Sequence, residues 1–357
     1  MTTEAEIQFE TRGRAGIVTL NRPKALNALN GNMVGLMHPQ LVAWAEDPAV
    51  ELVIVRAAGE KAFCAGGDIR QLHDWGKAGD PAARAFYRDE YRLNTYIKRY
   101  PKPYVALADG IVMGGGVGLS VHGSHRVAGE RLMFAMPETG IGFFPDVGGT
   151  YFLPRMPGKV GTWLALTASR LGQADALWSG FATHAAPASS FDAIIETLAE
   201  TGDAEAALAA HAAPAGEPAL PALQPVIDRC FSGGTVEAIL ANLDAEAEAG
   251  TGEHAEWAAR QAATMRQKSP TSLKIALRQM QVGAGADFEE CMATEYRIVT
   301  RILRGVDFFE GVRAVIIDKD NAPEWRPARL DAVPDADIDA YFAPLPDELD
   351  LSGIETG

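Results

Sequence analysis

The chain has 357 residues, 47% hydrophobic and 22% charged, enough for one large core with an appendage or for two domains. Its 32 basic and 47 acidic residues leave a formal charge of −15, which argues against unselective nucleic-acid binding. Cys64, Cys230 and Cys291 lie far apart with no CxxC spacing, so neither a disulfide frame nor a metal site is expected.

In chain order, MTTEAEIQFE has no basic segment followed by an apolar one, which leads to the expectation of a cytoplasmic protein without a secretory signal. EIQFETRGRAGIVTL alternates apolar and polar residues around a glycine-containing turn and predicts a β-hairpin. NRPKALNALN follows as a loop, with Asn30 or Asn32 placed to cap a helix through Met37 and Leu41. VELVIVRAA is a short β-branched run suited to a buried parallel strand. DIRQLHDW opens a helix with Asp68 near its start, and residues 81–100 read as a longer amphipathic helix leading to the strand KPYVALADG. The most membrane-like run, Tyr104 to Val121, is broken by five glycines and Asp109, so it predicts a buried strand and turn and no membrane partner. From about residue 185 to 263 the composition shifts to Ala, Glu and Pro, which suggests variable helices and loops. The final third, from SPTSLKIALRQM onward, is helical by period. The strand–helix alternation argues for an α/β architecture. A boundary is expected near residue 200, with residues 1–200 as the core that carries the site and 201–357 as a helical region covering it.

Two glycine-rich stretches, AFCAGGDIR (62–70) and DGIVMGGGVGLS (109–120), each follow a predicted strand and precede a predicted helix. Backbone N–H groups at such helix starts are unpaired and favour negative charge. One from each turn could converge on a carbonyl oxygen as an oxyanion hole. Neither stretch matches GxGxxG or GxxxxGK, and GLSVHG is not the GxSxG nucleophile elbow, so Ser120 and His122 read as packing residues on a helix. Cys64 reads as a small buried hydrophobe. The segment MPETGIGFFPDVGG then holds Glu138 and Asp146 eight positions apart among apolar residues. A continuous helix would separate them by roughly 12 Å. Gly140, Gly142 and Pro145 instead predict a bent loop, which can bring both carboxylates to one pocket walled by Ile141, Phe143, Phe144 and Val147. Such a pocket would raise their pKa values and suit acid or base work near neutrality, whereas an exposed loop would leave them merely solvated.

The two glycine turns and the acid segment, in this order, resemble the crotonase (enoyl-CoA hydratase/isomerase) superfamily. That resemblance implies a spiral of ββα units and an oxyanion hole made by the N–H groups of Gly67 and Gly115, with Glu138 at the position of the hydratases' catalytic glutamate. The hydratases carry a second glutamate in GGG-x-E; here GGGVG places Gly118 there, which opposes ordinary hydration and would leave space for a branched acyl group or water. AFCAGGDIR, GGGVGLSVHG, FAMPETGIGFFPDVGG, YFLPR, SPTSLKI and DFFEGVRAVIIDKDNAPEWRP together resemble the 3-hydroxyisobutyryl-CoA hydrolase family, over roughly residues 5 to 340 and most weakly over 185–265. The narrower resemblance implies thioester hydrolysis, with Glu138 and Asp146 as active-site carboxylates and Glu90 and Gly115 meeting the substrate. Coenzyme A would be part of that substrate, with no further cofactor. Arg22 and Lys24 are candidate partners for its phosphates, and relatives that assemble through C-terminal helices leave a homo-oligomer open. The alternatives are a hydratase or isomerase of the same fold, and a catalytically silent acyl-CoA-binding subunit.

Overall fold

A computed structural model describes residues 5–249 and 252–354. Its strands, in chain order, are β1 (Ile7–Arg12), β2 (Ala15–Leu20), β3 (Leu52–Ala57), β4 (Ala62–Cys64), β5 (Tyr104–Ala108), β6 (Ile111–Met113), β7 (His125–Ala128), β8 (Met133–Ala135) and β9 (His184–Ala185). β1 and β2 form the expected antiparallel hairpin, with Arg12 opposite Ala15 beside the turn. All other pairings between these strands are parallel, and they sort the strands into two sheets, β1-β2-β3-β5-β7-β9 and β4-β6-β8. The odd strand of each pair from β3 onward joins the large sheet and the even one the small sheet, so successive units wind as a spiral. β5 is buried at every position, as its apolar run requires in a sheet covered on both faces.

Helices fill the connections. Asn30 caps α1 (Gly31–Glu46), its Oδ1 accepting from the Met33 N–H at 2.9 Å, and Asp68 starts α2 (Ile69–Ala78). The amphipathic stretch forms α3 (Ala82–Lys98). The helix expected after the triple glycine is a single turn, α4 (Gly115–Gly118). Ser120 and His122 lie beyond it, where the turn tightens and the Ser120 N–H bonds the Val117 carbonyl, three residues back, at 3.0 Å. The acid segment is the expected bend, a 3₁₀ turn (Glu138–Ile141), an irregular loop, then one further turn, α5 (Gly149–Phe152). The region of shifted composition is helical, and the helices Val236–Ala249 and Glu253–Arg266 pack on one another. The helices Pro270–Gly283 and Phe288–Ile302 return to the first half of the chain, against α5 and, for the second, α3. One cluster of buried apolar side chains runs from Ile7 to Ile354. Among the described residues no helix is long and apolar enough to cross a membrane.

Candidate active site

The two glycine turns touch. Gly66 and Gly114 have φ of +114° and +46°, a backbone that side chains rarely tolerate. A Cβ on Gly114 would stand 3.2 Å from the Gly66 Cα, and one on Gly115 3.5 Å from the Gly66 carbonyl carbon. The parallel bridge between Leu29 and Gly67 uses the carbonyl of Gly66 and the N–H of Asp68, leaving the Gly67 N–H outside the ladder. The Gly115 N–H opens α4 and has no intrahelical acceptor. These two donors meet the requirement for an oxyanion site: fixed dipoles that need no reorganisation.

Three acids surround this seam. Glu138 opens the 3₁₀ turn and is buried; its Oε1 lies 3.4 Å from where a Gly114 Cβ would be, and its Oε2 has no partner. Glu90, buried on α3, points its own unpartnered Oε1 at Gly115, 2.6 Å from the place of a Cβ there. Asp146 is buried and accepts a hydrogen bond from the Tyr91 hydroxyl at 3.0 Å. Phe143 stacks on Tyr87, with ring centroids 5.5 Å apart, and so dries the wall beside the acids.

Burial raises all three carboxyl groups. It pushes Glu138 well above the usual carboxylate range, and the neighbouring Asp146 pushes it further, while Lys268 opposes the shift. Glu90 is raised in the same way, by burial and then by Asp146. Asp146 rises to about 7 because burial outweighs the Tyr91 hydrogen bond that favours its ionised form. The carboxyl groups are therefore not solvated, and burial together with their mutual repulsion opposes the ionisation of all three at once. Cys64, in contrast, is pushed up to about 12 by burial and is a packing residue.

A fourth acid, Glu295, is absent from the reading of the motifs. It stands on the helix Phe288–Ile302 and accepts from the N–H groups of Gly148 (2.8 Å) and Thr150 (2.9 Å), gripping the loop just after Asp146. Gln279 donates to the Pro145 carbonyl at 3.0 Å, and His122 Nε2 donates to the Val147 carbonyl at 2.7 Å. These contacts hold Val147 at φ +51°, a strained backbone for a β-branched residue. The signal was present in the sequence: Met292, Glu295, Tyr296 and Val299 repeat at helical spacing, placing one acid on an apolar stripe. Glu295→Gln would set an amide donor against one of the two N–H groups. A melting temperature lowered by a loss of about 1–3 kcal/mol is expected, with a reduced kcat as the Asp146 loop relaxes. An unchanged melting curve would count against this clamp.

The space expected beside Gly118 is filled. A Cβ on Gly118 would lie 2.7 Å from Asn94 Nδ2 and 2.9 Å from the Val147 Cβ, so these two side chains take up the place of any side chain at 118, and glycine is required there by close packing. Gly118→Ala is expected to cost about 1–3 kcal/mol by overpacking, read as a fall in denaturation midpoint. Wild-type stability in that variant would mean that α3 and the loop can give way.

The two basic candidates are not brought together. Arg22 pairs with Glu6 (3.1 Å) and Asp68 (3.0 Å) and donates to the Ala28 carbonyl at 2.6 Å, so it ties the loop to the start of α2. Lys24 is exposed, beside a cavity of about 310 Å³ also lined by Asn27, Gly59 and Lys61.

Comparison with known proteins agrees with this arrangement. The family model described as enoyl-CoA hydratase/isomerase matches residues 15–342. The chain belongs to that family. A zebrafish (Danio rerio) relative named 3-hydroxyisobutyryl-CoA hydrolase, mitochondrial, is 47% identical over 97% of this chain and 91% of its own length. The human (Homo sapiens) protein of the same name is 44% identical over 95% and 89%. Among solved structures, one described as a carnitinyl-CoA dehydratase from Mycobacterium thermoresistibile has a TM-score of 0.92 and 42% identity, covering 98% of this chain and 100% of its own. Another, described as an enoyl-CoA hydratase from Rhodobacter sphaeroides 2.4.1, has a TM-score of 0.89 and 42% identity, covering 97% and 100%. The spiral of ββα units is thus the crotonase fold, and the names of these relatives divide between thioester hydrolysis and hydration or dehydration. The names of the vertebrate relatives place them in mitochondria, so the expected cytoplasmic location gains no support from them.

Proposed function

We propose that this enoyl-CoA hydratase/isomerase family member hydrolyses a short, branched 3-hydroxyacyl thioester, 3-hydroxyisobutyryl-CoA, to the free acid and CoA. The observation that carries the reading is Glu138: a buried carboxyl with an unpartnered oxygen, set against the glycine turns and faced by no acid at position 118. The N–H groups of Gly67 and Gly115 polarise the thioester carbonyl and hold the negative charge that develops on its oxygen. Glu138 then either takes a proton from water as it attacks the carbonyl carbon, or attacks directly to give an anhydride that water cleaves. In both routes the carbon–sulfur bond breaks and the sulfur leaves as thiolate, which takes up a proton. Asp146, held by Tyr91, shares that proton with Glu138, and Glu90 contacts the substrate beside Gly115.

The region after residue 200 contributes through Lys268 and Glu295, which act on Glu138 and on the Asp146 loop. CoA enters as part of the substrate, and of the two basic candidates Lys24, beside a cavity that Lys61 also lines, is the one to meet its phosphates. Hydration is the second reading, favoured by the names of the two solved structures. A panel of acyl-CoA substrates decides between them. Free thiol should appear with 3-hydroxyisobutyryl-CoA, while crotonyl-CoA should lose little enoyl absorbance. Faster crotonyl-CoA hydration would reverse the assignment, and neither signal would leave a binding protein.

A further inference from the structure

Three buried side chains with unpartnered oxygens or nitrogens, Glu90, Asn94 and Glu138, stand against the glycine turns. Among the described residues such atoms also belong to Tyr87 on α3, to Thr139 and to Gln279, which bonds the Asp146 loop. Buried polar groups are normally satisfied, so those that face the glycine turns are open to polar partners brought by a ligand or by water. Asn94 stands apart among them. The residue is fully buried, and both its Oδ1 and its Nδ2 are unused, so one acceptor and one donor are held ready in a fixed amide.

We infer that Asn94 recognises the 3-hydroxyl of the acyl group, accepting its proton with Oδ1 and donating to its oxygen with Nδ2; the inference rests on the hydrolase reading above. Asn94 follows Glu90 by four residues and therefore lies one turn further along the same face of α3. Glu90 faces Gly115, and Asn94 faces Gly118. Those glycines are three residues apart, about 4.5 Å along α4 at 1.5 Å per residue. A carbonyl held at the Gly115 N–H would thus send its acyl chain toward Asn94, and the hydroxyl oxygen is three bonds from the carbonyl carbon. A hydroxyl that both donates and accepts uses the amide fully. An unsubstituted acyl chain leaves it unpaired, which is the basis of strong discrimination.

The test compares kcat/KM for 3-hydroxyisobutyryl-CoA and isobutyryl-CoA, which differ only in that hydroxyl. The wild type should prefer the hydroxylated thioester by at least about a hundredfold. Asn94→Leu, close in size and without either polar atom, should bring the ratio to within about threefold, with isobutyryl-CoA turnover retained. Asn94→Ser, which keeps a hydroxyl at shorter reach, should give an intermediate ratio and supplies the answer if the leucine variant does not fold. Equal losses on both substrates, with the ratio unchanged, would mean that the amide serves the hydrolytic water or the packing of α3, and unchanged rates on both would mean that it contacts neither substrate nor water; each overturns the inference while leaving the hydrolase reading intact. A wild type that releases no CoA from either thioester would instead overturn the hydrolase reading, and this inference with it.

Discussion

Glu138→Gln should lower kcat for thioester hydrolysis by at least about a hundredfold, with substrate still bound and the melting temperature kept or raised. The magnitude is the lower end of what a positioned general base supplies, and loss of a nucleophile would cost more. Stability should hold because burial already favours the uncharged carboxyl group, which an amide copies in shape and charge. Steady-state thiol release and a thermal melt measure the two halves. Near-normal turnover by the folded variant would remove the central claim about the site. In the wild type, a single turnover in ¹⁸O-labelled water separates the two routes. Direct water attack labels the first acid released, whereas an anhydride cleaved at the Glu138 carbonyl delivers an unlabelled oxygen from the enzyme.

Asp146→Asn should also reduce kcat by roughly a hundredfold, and it should move the pH profile in a defined direction. The charge on Asp146 helps to raise Glu138, so its removal lowers the Glu138 pKa and shifts the rising limb of kcat to lower pH. Stability has its own sign. Asp146 is raised from 3.8 to about 7 in the folded protein, so its contribution is fully present below the unfolded value and is lost as pH rises through about 7. The wild type should therefore melt at a lower temperature at pH 8 than at pH 5, and Asp146→Asn should flatten that dependence. An unshifted kcat profile would show that the two acids do not share a field. A large loss of stability with unchanged kcat would give Asp146 a structural role alone.

Much of this site was legible because its chemistry is local in sequence. The β-branched run of β3, the capping residues Asn30 and Asp68, and the helix-breaking residues between Glu138 and Asp146 each act within a few positions. The family motifs lie in the same short stretches, and they named Gly67, Gly115, Glu90, Glu138 and Asp146 as the residues to examine. The helix expected through Ser120 and His122 ends early because the backbone passes into three-residue turns at Ser120 and Gly123, which helical periodicity does not record. The space expected at Gly118 was misjudged for a different reason: the residues that fill it, Asn94 and Val147, are distant in sequence.

By itself the amino-acid sequence determined the α/β architecture, the two glycine turns and the bend that carries the acids, because backbone conformation there follows from nearby side chains. Only the tertiary structure decided that the acids are buried rather than solvated, and that they share one field. It also decided that Glu295, about 150 residues further along, grips the loop between them and α5, and that Arg22 spends its charge on Glu6 and Asp68. Burial and long-range pairing depend on which elements pack together, and an acid's pKa depends on every charge within a few ångströms, whatever its place in the chain.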